Sequence, residues 1–338
     1  MAAERPTSGT PEWLGQVVED VLDADREIID PHHHLWPEGG VLAYGVDDLV
    51  ADTSSGHNVV GTLFMECFAI YRDDGPEHLR VVGETEFVAA AADDLALRHP
   101  DAAPILGIVG AADLTDPRLD EILDAHIEAA GGRFRGIRDA LARSREPEAH
   151  TIPSFGAEGK ASDPAFQAGV RRLGERGLTY DSWHYHWQLP EFGELADATP
   201  DTTLVLDHLG TPCAIGSLAG KLDEIFETWR VDVAAVAERP NVIAKVGGLA
   251  MPDNGFGYHE RDRPPTSDEL LADQRRWYEH LIECFGPERC MFESNFPVDK
   301  FSLSYTTYWN AMQRLAAPFS EDEQDAMFAG TARRVYRV

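Results

Sequence analysis

The sequence predicts a (β/α)8 TIM barrel with loop insertions and extra terminal helices, and three observations carry that prediction. Eight short apolar runs alternate with amphipathic helical stretches, the rhythm of parallel strands joined by right-handed crossovers. The first run ends in histidines with no Gly-x-Gly-x-x-Gly turn, which argues against an open dinucleotide-binding sheet. Seven of the eight runs end in a polar or titratable residue. In a barrel those ends share one rim, where active sites lie.

The elements follow in order. Residues 11–23 read as a lead-in helix with Trp13, Leu14, Val17, Val18 and Leu22 on its apolar face. Strand one is 27–31, a short helix covers 46–53, and strand two runs from Val59 to Cys67, apolar throughout and therefore buried on both faces. An Ala-rich helix at 76–98 leads to strand three, Ile105 to Val109. A helix near 117–130 ends at Gly131-Gly132, a suitable C-cap, before strand four, Phe134 to Ile137. Residues 143–162, with Pro147, Pro153 and Gly156, read as an inserted loop. A helix at 163–176, strand five at Leu178 to Asp181, a helix at 190–198 and strand six at Thr203 to Leu206 come next. A loop at 210–220, a helix at 221–238, strand seven at Asn241 to Val246, a loop at 252–267 and a helix at 267–285 precede strand eight, Cys290 to Phe292. Helices near 303–316 and 320–330 finish the chain. Residues 1–338 thus read as one domain, with 1–26 as lead-in and 303–338 as closing helices.

Composition narrows the function classes. Acidic residues outnumber basic ones 59 to 29, a net charge of -30, which repels phosphate backbones and argues against nucleic acid as a partner. No apolar run is long enough to span a bilayer, and Met1 to Pro6 carries no basic-then-apolar leader, so the expected location is the cytoplasm. Cys67, Cys213, Cys284 and Cys290 form no Cys-x-x-Cys pair and read as small buried hydrophobes. The expected partner is a small molecule, and a homo-oligomer is compatible with the sequence.

The chemistry starts at Asp30-Pro31-His32-His33-His34-Leu35-Trp36. Side chains alternate along an extended chain, so His32 and His34 share a face that His33 does not. Two imidazoles at the end of a buried strand make half of a metal site or a pair of proton-handling groups. A tag remnant would lie at a terminus without an apolar strand before it. The other strand ends bring Glu66, Arg138, His184 or His186, Asp207 with His208, Lys245 and Asn295. Singly, each has a bland reading: Glu66 could be a buried carboxylate paired with Arg138, and His208 a core histidine. Gathered at one rim they point to an active site. Trp36, Trp183, Tyr185 and Trp187 suggest a pocket that accepts a ring, or simply packing.

Six segments together resemble the amidohydrolase superfamily, in its branch of sugar lactonases and pyrone-dicarboxylate lactonases. They are the His run, Arg135-Gly136-Ile137-Arg138, Tyr185-His186-Trp187-Gln188-Leu189, Leu206-Asp207-His208-Leu209-Gly210, Cys290 through Asp299, and Gly330-Thr331-Ala332-Arg333-Arg334-Val335-Tyr336. The resemblance extends from about Ile28 to Tyr336. It implies that His32 and His34 lie at the pocket base, that His186 and His208 are the fifth- and sixth-strand histidines, and that Arg138 holds a substrate carboxylate or lactone oxygen. The catalytic set so implied is His32, His34, His186, His208, Asn295 and Asp207, with Arg138, Trp36, His184, Lys245 and Glu66 on the substrate. One divalent ion, zinc or manganese, would be held by His32, His34 and His186, with metal-independent action also open.

Two departures from the family pattern bear on the reaction. Strand four ends in Arg138 with no bridging lysine, which argues against a binuclear site. Strand eight offers Asn295 where relatives place a proton-accepting Asp, and an amide takes no proton at neutral pH. Glu66, Asp207, Glu293, Asp299 or a histidine would have to be the base. The expected function is hydrolysis of a lactone or related cyclic ester or amide, with carbonyl polarisation by the His pair, Arg138 and any metal. A decarboxylase, lyase or lactone isomerase on the same scaffold is the alternative, and an inactive binding barrel is the third reading.

Overall fold

In the computed structural model, which describes residues 7–36 and 43–338, eight parallel strands pair in sequence order. They are β1 Ile28–His33, β2 Val59–Met65, β3 Ile105–Gly110, β4 Phe134–Arg138, β5 Thr179–Ser182, β6 Leu204–Leu206, β7 Val242–Gly247 and β8 Cys290–Glu293. Just past β8 the chain returns to β1: Asn295 N donates to His32 O at 3.0 Å and His34 N to Phe296 O at 2.8 Å. These bonds nearly close the ring into the (β/α)8 barrel. The reading of Met1 to Pro6 as leaderless falls outside the described residues.

The helices are α1 Pro11–Leu14, α2 Val46–Thr53, α3 Val82–Arg98, α4 Leu119–Ala129, α5 Pro164–Glu175, α6 Leu189–Ala198, α7 Leu222–Ala237, α8 Ser267–Phe285, α9 Tyr305–Ala316, α10 Glu321–Asp325 and α11 Thr331–Tyr336. A π-helical turn, Ala326–Gly330, joins the last two. The helix expected at 320–330 therefore continues to Tyr336.

The strands alternate as a period of two demands. Phe64, Ile137, Leu204, Leu206, Val242, Ala244, Val246 and Phe292 pack outward against the helices. Ile29, Leu63, Met65, Val109, Val205, Ile243 and Met291 fill the interior with Ala329, Ala332, Val335 and Tyr336. Counting two residues on from Val205, Ile243 and Met291 gives Asp207, Lys245 and Glu293. The interior therefore turns from apolar to charged within one layer. Tyr336 reaches that boundary from below and donates its hydroxyl hydrogen to Asp181.

At β1, Pro31 has no N–H and the pairing with β2 slips between Asp30 and His33. On the other side of β1, the buried Asp30 carboxylate ties the strand to the end of β8 and to α9, accepting Ser294 N at 3.0 Å and the Tyr305 hydroxyl at 2.9 Å. Burial, only partly offset by those bonds, lifts its pKa to about 6.

The lead-in helix is much shorter than 11–23 predicts. It stops after Leu14, with Trp13 and Leu14 buried and Val18 86% exposed. Beyond Gly15 the backbone finds other partners: Leu22 N donates to Asn310 Oδ1 at 3.2 Å and Asp23 N to Gln313 Oε1 at 3.1 Å. Side chains of α9 thus take hydrogen bonds that a helix would have made internally.

Candidate active site

The C-terminal ends of the strands surround a cavity of about 490 Å³. His34, Glu66, Arg138, His208 and Asn295 supply its polar lining. Trp36, Phe68, Ile70, Ile152, Phe155, Trp183, Met251 and Val298 are among its apolar walls. Below the floor lies a fully enclosed ionic layer.

Arg138, at the end of β4, is the hub. Its Nε donates to Glu66 Oε1 at 2.8 Å and its Nη2 to the Glu66 carbonyl, while Nη1 lies 3.3 Å from both His32 Nε2 and Asp207 Oδ2. A guanidinium only donates. His32 Nε2 therefore accepts from it, while Nδ1 lies between Glu293 Oε2 at 2.8 Å and the Lys245 ammonium at 3.2 Å. Burial, then the charges of Lys245 and other neighbours, hold the His32 imidazole well below its ordinary pKa, so it is neutral. Lys245 Nζ sits 3.0 Å from both Asp181 Oδ2 and Asp207 Oδ1 and 3.2 Å from His32 Nδ1. Burial would raise Asp207, but Lys245 and Arg138 outweigh it and keep the carboxyl at about 2. Burial raises Asp181 and Glu66, opposed in each case by the neighbouring cation.

His208 and His34 hold defined tautomers. His208 N and Nδ1 both reach Glu293 Oε1, at 3.0 and 2.7 Å, so the ring proton sits on Nδ1 and Nε2 keeps its lone pair. The His208 backbone is left-handed, with φ 53°. Gly248 leaves room for the ring, since a Cβ there would lie 2.3 Å from His208 Nδ1. His34 Nδ1 donates to Met65 O at 2.9 Å, which leaves its Nε2 as acceptor. Asn295 Nδ2 donates to Asp299 Oδ1 at 2.9 Å.

Several expected residues lie elsewhere. His184, fully buried, bonds Ser182 Oγ at 2.9 Å and packs on Phe192 of α6. The chain turns into a 3-10 helix at His186–Gln188, so the two histidines do not share one extended face. His186 accepts Cys213 N at 3.2 Å and does not line the cavity. Lys245, like Asp207 and His32, is fully buried in the ionic layer and does not line the cavity. Tyr185 bonds His150, and only Trp36 and Trp183 of the four aromatics reach the cavity.

Among the described residues, the group able to surround a metal ion is His32, Asp207 and His208, not His32, His34 and His186. Two imidazoles and a carboxylate suit zinc. Charge points the same way: Glu66, Asp181, Asp207 and Glu293 are four buried carboxylates against two buried cations, Arg138 and Lys245. A divalent ion would balance them, provided Arg138 Nη1 withdraws from its place between His32 and Asp207. Sequence reasoning had not set Asp181 apart, though a carboxylate closing a buried strand was its signal. It had also missed Glu293 as the group that holds His208 and lies beside His32.

Comparison with known proteins settles the family. Residues 29–338 match the Amidohydrolase family. The chain belongs to it. A relative from Sinorhizobium fredii, the uncharacterized protein y4mH, is 33% identical over 93% of this chain and 100% of its own length. The L-fucono-1,5-lactonase of Burkholderia multivorans is 29% identical over 70% of this chain and 73% of its own. The crystal structure of an amidohydrolase from Burkholderia multivorans with bound zinc, 25% identical, superposes with a TM-score of 0.70 over 92% of this amidohydrolase and 99% of that chain. This amidohydrolase is thus a hydrolase-type enzyme whose relatives include lactonases. Among the described residues no helix is long and apolar enough to cross a membrane.

Proposed function

We propose that this amidohydrolase opens a lactone ring by addition of water. The observation that carries the reading is Arg138, which lines the cavity floor with four of its five N–H donors on Glu66, His32 and Asp207 and one Nη2 hydrogen left for an entering carbonyl oxygen. Donors fixed in a dry site stabilise the charge that grows on that oxygen. One divalent ion, zinc or manganese by donor type, held by His32, Asp207 and His208, would supply Lewis-acid polarisation of the same carbonyl.

The proton acceptor is argued from the partners each group already has. Among the carboxylates, Asp207 is bound by two cations, Glu293 by the His208 imidazole with His32 beside it, and Asp299 by Asn295, itself an amide. Glu66 Oε1 holds Arg138, whereas Oε2, like Asp207 Oδ1 and Glu293 Oε2, is buried with no hydrogen-bond partner among the described residues, and of these carboxylates Glu66 alone lines the cavity. Burial raises the Glu66 carboxyl toward the range where a carboxylate is an effective base. Glu66 would take a proton from water as its oxygen adds to the carbonyl carbon, then return it to the ring oxygen as the C–O bond breaks.

A non-hydrolytic reaction on the same floor is favoured by Asn295, which cannot be the base. Turnover in heavy-oxygen water separates the two: hydrolysis places label in the acid product, whereas decarboxylation or isomerisation leaves none. Elemental mass spectrometry of untagged protein tests the ion. About one zinc or manganese per chain, lost in Asp207→Asn, supports the assignment. Full retention of metal in that variant refutes it.

A further inference from the structure

We infer that the substrate carries an apolar alkyl or aryl substituent on its lactone ring, and that Phe68 and Phe155 at the cavity mouth select for it. The inference rests on the lactone-hydrolase reading and names the substrate class for that site.

Polar side chains are confined almost wholly to the floor. Above His34, Glu66, Arg138, His208 and Asn295, the Thr151 hydroxyl and the unpartnered indole N–H of Trp183 are the side-chain polar groups among walls that are otherwise apolar or thiol, among the described residues. A polyhydroxylated sugar lactone would set its hydroxyls against Trp36, Phe68, Ile152 and Met251 without partners. Each buried unpaired hydroxyl costs on the order of tenfold in affinity. A hydrocarbon substituent gains there instead, at roughly tenfold or more for each well-packed methylene.

The rim repeats the pattern. Phe68, Ile70 and Phe155 account for three of eight exposed large hydrophobics among the described residues, and all three line this cavity. Phe68 is 56% exposed and Phe155 73%, and their rings meet edge to face with centroids 5.7 Å apart. Apolar rings left in water at a pocket mouth mark a binding surface.

The backbone beside each ring is tied to its surroundings, and at Phe68 its conformation is unusual. Phe68 has φ 58°, an uncommon conformation for a bulky residue. The buried Glu84 carboxylate secures it, accepting the amides on either side through Oε1: Cys67 N at 3.0 Å and Ala69 N at 2.8 Å. Across the mouth, Asp253 accepts Thr151 N at 2.8 Å and Ile152 N at 3.2 Å, and Gly156 N donates to Ala142 O at 2.7 Å. Glu84 is a positioning residue, since it reaches the substrate only through Phe68.

The test compares kcat/KM of the full chain on δ-decalactone, δ-valerolactone and glucono-1,5-lactone. The expected order is decalactone above valerolactone by about tenfold or more, with gluconolactone last. Phe155→Ala should cut the decalactone-to-valerolactone ratio about tenfold, mainly through KM. Glu84→Leu should do the same, whereas Glu84→Gln, whose oxygen can accept the same two amides, should keep the ratio. Gluconolactone as the best substrate, or a ratio unmoved in Phe155→Ala, overturns the inference and leaves lactone hydrolysis standing. Turnover of no lactone refutes the hydrolase reading instead. Calorimetry of the ring-opened acids then decides the inference: 5-hydroxydecanoate binding about tenfold more tightly than gluconate supports it, and equal or reversed affinity overturns it.

Discussion

Replacing Lys245 with Met keeps the volume of the side chain and removes its charge from the barrel interior. In the wild type, Nζ is 3.0 Å from both Asp181 and Asp207, and all three groups are fully buried. Taking one partner from a buried ion pair costs ~3–5 kcal/mol, because the carboxylates left behind have lost their solvent as well. For 338 residues the unfolding entropy is roughly 0.7 kcal/mol/K, so Lys245→Met should melt about 4–7 °C lower at pH 8. The sign with pH follows from the orphaned acids. Without Lys245 their folded-state pKa values rise above the unfolded ones, so the folded variant binds protons that the unfolded chain does not. Its deficit is then largest at high pH and shrinks as pH falls through those raised values. Differential scanning calorimetry at pH 8 and pH 5 reads both effects. Lys245→Met with Asp181→Asn, which removes one orphan, should regain part of the loss. A melting point within 1 °C of wild type at pH 8 would refute the reasoning, as would a deficit independent of pH.

Further outcomes concern the cavity and its surroundings. Glu66→Gln keeps an oxygen for Arg138 but loses the base, so kcat should fall about 10²–10⁴-fold with a smaller change in KM. The acid limb of the wild-type kcat profile should lie above the ordinary carboxylate range, because burial raises Glu66, and a limb at or below pH 4 would count against Glu66. Arg138→Lys loses the fork that spans Glu66 and Asp207 and should lower kcat/KM on the order of 10² or more, measured by steady-state kinetics. Asp299, lifted to about 7 chiefly by burial, binds a proton in the folded state that the unfolded chain releases near pH 4. It therefore removes stability as pH rises from about 4 to 7, at ~1.4 kcal/mol per pH unit. Asp299→Asn should flatten that part of the melting-temperature profile.

The barrel was legible because its signal is repeated eight times, and each apolar run needs only local alternation to be read. The rim was legible for a related reason: a charge at the end of a buried run is costly to keep unless something there pairs with it or uses it. Depth within the rim was not. Lys245 and Asp207 both follow an inward apolar residue by two positions, yet only the folded structure shows that both stay beneath the cavity. His184 and His186 stand two positions apart in the sequence, and the turn that starts at His186 breaks the alternation that would put them on one face. Phe68 and Phe155 come from loops far apart in sequence, and no local pattern says that they meet. Residues 15–23 failed in a similar way, since Asn310 and Gln313 compete for their backbone from nearly 300 positions away.

Tyr336 also sets the order in which the molecule can be finished. Its hydroxyl caps Asp181 from beneath, and Ala329, Ala332 and Val335 seal the narrow end of the barrel. Translation produces this stopper after all eight strands, so a ring complete through β8 still has an open base. Water entering there would solvate Asp181 and Lys245 and weaken their attraction. The electrostatics beneath the cavity floor therefore depend on the opposite end of the molecule, where the last helix docks.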